Sequence, residues 1–124
     1  MLFFKKDKEK SNKKKEAYER VYRLHEEASF LFYIDDVYFE KYNGKDCVKL
    51  EGTMAKGSGT VEDTFYLYSC QGRKKATITI DEFYIENNKV EQLEAGDKRI
   101  AVYPKEQDIN YKAGDMLCKL KSDE

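Results

Sequence analysis

The chain has 124 residues, 40 % hydrophobic and 38 % charged, with a formal net charge of −1. That length makes one domain with a modest core, which ten Tyr and seven Phe make aromatic. No window approaches a membrane span, and the spacing of Cys47, Cys70 and Cys118 argues against a zinc knuckle, a redox C-x-x-C pair or a disulfide framework.

The opening MLFF gives way at once to KKDKEK, so its apolar run is too short for the core of a signal peptide. A cytoplasmic protein with buried, reduced thiols is the expectation. Residues 5–15, KKDKEKSNKKK, hold seven Lys and two acids, so residues 1–12 predict a basic, flexible lead-in. Residues 1–29 carry nine basic and six acidic side chains, which is +3 and leaves −4 on residues 30–124. Between residues 13 and 28, Ala17, Val21, Leu24 and Ala28 recur at i, i+4, i+7 and i+11, with Tyr18 and Tyr22 beside them. That stripe predicts an amphipathic helix, capped by Ser11 or Asn12.

From residue 29 to 124 the pattern turns to strands. FLFYIDDVYFE is aromatic and β-branched, and strand-like runs follow at 46–51, 64–69, 75–82, 98–103 and 115–120. Turn signals separate them: Asn43-Gly44, Gly57-Ser58-Gly59, Gln71-Gly72, Asn87-Asn88, and the tripeptide Ala-Gly-Asp at both 95–97 and 113–115. In ATITID, Ala76, Ile78 and Ile80 alternate with Thr77, Thr79 and Asp81. The spacing predicts an all-β barrel or sandwich behind one helix.

Motifs for chemistry are sparse. GTMAKGSG, residues 52–59, approximates a phosphate loop, but Ser58 stands where the lysine must be, and a strand-like run follows. Asn88-Lys89-Val90-Glu91 approximates a guanine-reading motif with nothing to accompany it. The single histidine, His25, lies in the charged helix beside Glu26 and Glu27. Asp35-Asp36 and Asp81-Glu82 pair carboxylates, yet neighbours in a regular strand point to opposite faces and would share no substrate. The reading is non-enzymatic, without cofactor, metal, nucleotide or membrane.

Ile34-Asp35-Asp36-Val37-Tyr38, then Gly52 and Gly57, then Val61, Asp63 and Leu67, and finally EAGDKRIAVY and INYKAGDML, together resemble the second domain of elongation factor Tu and related translational GTPases, without the GTPase domain. The resemblance spans roughly residues 30–120 and implies a six-stranded, closed, Greek-key β-barrel. It also implies a pocket that holds the end of a charged tRNA, with Tyr38 matching its aromatic residue and Glu82 its carboxylate. The chain departs from the pattern at KYNGKDC, residues 41–47, a longer loop, and at Glu51, where the family has a small Thr. A binding module for a protein partner is the leading expectation. The alternative is an RNA- or ribosome-associated factor using Lys13, Lys14 and Lys15 with the Tyr38 and Glu82 side of the barrel.

Overall fold

The computed structural model describes the backbone of residues 2–42 and 44–123 and the side chains of residues 13–41 and 44–123. Helix α1 is Leu2–Glu27. Helical backbone thus covers the segment read as a lead-in, because Lys and Glu are good helix formers and no Gly or Pro interrupts them. The side chains of residues 1–12 lie outside the described residues. The helix ends where the aromatic run begins, and the Lys56 ammonium donates to the His25 carbonyl at 2.9 Å, satisfying a last-turn acceptor.

The strands are β1 (Ala28–Tyr42), β2 (Lys45–Thr60), β3 (Thr64–Tyr68), β4 (Lys74–Ile85), β5 (Asn88–Val90), β6 (Gln92–Glu94), β7 (Ile100–Pro104) and β8 (Met116–Leu120). Antiparallel pairing runs β1-β8-β3-β4-β7-β2 and closes with β2 on β1. That circuit is a six-stranded closed barrel, so the six predicted strands are its staves. The short β5 and β6 extend β4 and β2. Gly57-Ser58-Gly59, expected as a turn, lies inside β2, because the bare Gly57 lets the strand cross against the Ser29 carbonyl. GTMAKGSG is strand throughout and runs into the turn before β3, not into a helix.

Phe30, Phe32, Phe65 and Phe83 fill the interior, Phe65 tilting 4.7 Å from Phe30 and meeting Phe83 edge-on at 6.3 Å. Each such burial contributes about 2–3 kcal/mol. The inward alternation of Ile78 and Ile80 is as predicted.

The repeated tripeptide has a structural use. Asp97 and Asp115 each donate their N–H to a carbonyl three residues back, and each carboxylate accepts that same residue's N–H. Asp63 closes the turn before β3 in the same way. Asp115, 3 % exposed, also pairs with Lys75 at 2.6 Å, tying its turn to β4.

Of the thiols only Cys118 is buried, which pushes it up to about 12; Cys47 is half-buried and Cys70 exposed. The expectation of buried cysteines fails for Cys70, because it lies in the β3–β4 turn, outside the barrel wall.

Candidate functional site

Register places the two barrel residues of interest in one row. Tyr38 of β1 pairs with Lys49 of β2, and Glu82 of β4 pairs with Tyr103 of β7. Leu50 pairs with Val102, so Lys49 and Tyr103 are the next outward neighbours across β2 and β7. The outer wall therefore reads Tyr38, Lys49, Tyr103, Glu82 across four strands, above the inward Leu50, Val102 and Phe83.

Both ends of the row face outward because of bulges. Register shifts fall between Ile34 and Asp36 and between Ile80 and Glu82. Each turns a second acid outward and restores the next apolar residue to the inside. Asp35 and Asp36 consequently share an open groove of about 500 Å3 with Lys49, Glu51 and Arg99, rather than opposing each other across a strand. Asp81 and Glu82 both leave the interior for the same reason. The signal was in the sequence, in two runs of the form apolar-acid-acid-apolar, Ile34–Val37 and Ile80–Phe83, which no regular strand with a buried face accommodates.

The row is wired. The Lys49 ammonium lies 3.1 Å from Glu51 and 3.4 Å from Glu40, and 5.7 Å from the centre of the Tyr38 ring. Burial pulls Lys49 down, but its bond to Glu51 and the charge of Glu40 outweigh that and hold it above its ordinary value. Burial, then the charge of Glu40, pushes Tyr103 up. Tyr103 donates to Glu40 at 3.3 Å and stands edge-on to Tyr84. Tyr84 donates to Glu82 at 2.7 Å, and Glu82 faces Lys89 at 3.5 Å. Glu82 is thus half-covered and engaged, whereas Tyr38 is 43 % exposed. Beyond Leu50 the β1–β2 ribbon continues as a two-stranded arm with Tyr38 on one face and Phe39, 83 % exposed, on the other.

Lys13, Lys14 and Lys15 are exposed on α1, away from this row. Lys13 and Lys14 line a separate cleft with Arg20 and Arg73. His25 is half-buried where helix meets barrel, its Nε2 2.8 Å from the Tyr33 hydroxyl. Among the described residues, no three His, Cys, Asp or Glu side chains are arranged to hold a metal ion, and no helix is long and apolar enough to cross a membrane.

No protein-family model and no curated protein matches the chain. Among solved structures, translation elongation factor SelB from Methanococcus maripaludis, in its apo form, is similar with a TM-score of 0.57 and 18 % identity over 73 % of this chain. The match takes in 18 % of the elongation factor's own length, so the likeness is to one part of it and concerns the fold. The closed circuit of six strands and this likeness agree: the chain carries a translation-factor-like β-barrel, with the fold of the second domain of elongation factor Tu.

Proposed function

We propose that the barrel is a non-enzymatic binding module that docks a protein on the outer wall of β1, β2, β7 and β4. The observation that carries this reading is the row Tyr38, Lys49, Tyr103, Glu82, with Phe39 on the adjoining arm. Exposed rings among engaged charges are what interface anchors look like: large area and little entropy to lose. The wall's charge opposes a nucleic acid. Asp35, Asp36, Glu40, Glu51 and Glu82 outnumber Lys49, Lys89 and Arg99 there, and phosphates would be repelled. The solved relative is a translation elongation factor, so proteins of the translation machinery are the first to screen.

The test is a photoreactive phenylalanine analogue at position 38, followed by identification of what it cross-links. The purified partner should then bind Tyr38→Ala and Phe39→Ser at least about tenfold more weakly than the parent. A partner that binds both variants with unchanged affinity sinks this wall as the interface.

A further inference from the structure

A group of cations lies together elsewhere. Lys13, Lys14 and Arg20 of α1 and Arg73 of the β3–β4 turn line a cleft of about 410 Å3, in which Glu16 is the acid. Two elements distant in sequence are fixed to make it. Arg20 Nε donates to the Gln71 carbonyl at 3.0 Å, locking the helix to the turn. The Ser69 hydroxyl accepts from the Gln71 and Arg73 N–H groups and sets the turn's shape. Next along β4, the Lys74 ammonium lies 4.1 Å from the centre of the Tyr66 ring.

Aromatic faces lie round the helix from the cleft, past Lys14: Tyr18, 72 % exposed, and Tyr22, 56 %, line a second groove with Glu19 and Arg23. With Lys14 they fall at i, i+4 and i+8, on one stripe of the helix. Lys15 borders that stripe. An acidic peptide would use the lysines and arginines and leave both rings in water. A strand of unpaired bases uses both features: phosphates follow the cationic cleft and bases stack on the rings, whichever bases they are.

We propose that the cleft between α1 and the β3–β4 turn binds the phosphodiester backbone of a single-stranded nucleic acid, with Tyr18 and Tyr22 as stacking platforms for its bases. The site is independent of the acidic wall, so Tyr38→Ala leaves it intact.

The full chain is titrated by fluorescence anisotropy against labelled oligouridine and oligothymidine of about 12 nucleotides, at low and moderate salt. Binding of either supports the proposal, and the tighter of the two names the natural strand. Lys13→Glu with Lys14→Glu should weaken binding at least tenfold and flatten the log–log salt slope by about 1.4, roughly 0.7 for each phosphate that is no longer neutralised. Tyr18→Ala should weaken binding about tenfold with the slope unchanged. Lys45→Glu with Lys98→Glu, the same charge change outside the cleft, should leave affinity within twofold. Melting curves confirm that these surface variants fold. The proposal is overturned if neither oligonucleotide binds, if the two double variants lose affinity equally, or if a glutamate-rich peptide displaces the strand at equal concentration.

Discussion

The barrel and the helix are held by different means. Each of the six staves has a neighbour on both sides, and four phenylalanines lock the interior. Helix α1 has one buried hydrophobic side chain among its described residues, Leu24, packed with Leu31, Met116 and Cys118. Its polar attachments are Arg20 on the Gln71 carbonyl, Lys56 on the His25 carbonyl, and His25 against Tyr33, and Gly72 packs closely on it at Arg20 and Val21. A closed sheet leaves almost no freedom in where its residues stand, which suits the docking row proposed for the outer wall. A helix docked at one end keeps most of its circumference open, which suits a surface that follows a flexible strand.

The sharpest way to break this contrast is to attack closure. A Cβ at Gly52 would overlap the Tyr33 carbonyl oxygen and come within 2.7 Å of the Phe32 ring, so β1 and β2 would have to part beside the first bulge. Gly52→Ala should destabilise the protein by about 4 kcal/mol or more, with barrel and helix lost together. Thermal melting followed by far-ultraviolet circular dichroism checks this; a melting temperature near the parent's would mean that the strands accommodate the methyl and closure is less strict.

The next effect separates the two regions. Leu24→Ala removes the apolar contact that seats α1 and should cost about 2–3 kcal/mol of docking free energy. The barrel retains its own core, so amide exchange should accelerate through residues 17–27 while β1, β4 and β7 stay protected. Equal acceleration everywhere would show that helix and barrel form one cooperative unit.

How far the sequence speaks differs between the regions in the same way. Apolar alternation around Phe65, Ile78 and Ile80 reports a buried face directly, so the six staves were legible, while closure into a barrel rather than a sandwich came only from the resemblance to the translational GTPases. What was missed lies where the period breaks. Regular-strand geometry sets the members of Asp35-Asp36 and Asp81-Glu82 on opposite faces, and the bulges that turn both pairs outward come from pairing with β2 and β7, which lie distant in sequence. The stripe of Ala17, Val21 and Leu24 was legible, yet Tyr18 and Tyr22 stay in water because nothing in a local pattern says how far round the helix the barrel reaches. The cleft was invisible for the same reason. Lys13 and Arg73 are sixty residues apart, and their elements meet through the docked Arg20 and through Gly72, which packs against the helix at Arg20 and Val21.

The smallest effect sharpens the comparison through pH. Two barrel carboxylates, Asp63 and Glu106, hold loops in place: Asp63 accepts from the Thr60 N–H at 2.8 Å and from Lys119 at 3.0 Å, and Glu106 accepts from the Thr79 N–H at 2.7 Å and its hydroxyl at 2.6 Å. Burial alone would raise both, but these donors outweigh it and hold them below their ordinary values of 3.8 and 4.5. The unfolded chain therefore binds protons first as acid is added. The stabilisation is complete above about pH 5 and is lost as pH falls through the folded values, by about 1 kcal/mol in all because both groups are partly exposed to solvent. Asp63→Asn with Glu106→Gln should lower the melting temperature at neutral pH and flatten its decline in acid; an unchanged acid limb would place the sensitive groups elsewhere. The cation-to-carbonyl bonds that seat α1 carry no carboxylate and survive acid. Exchange in the helix should accordingly rise in acid with the barrel's and not ahead of it, unlike the Leu24→Ala pattern, because protonation of Asp63 and Glu106 loosens loops of the barrel and leaves the Arg20 and Lys56 bonds to carbonyls in place.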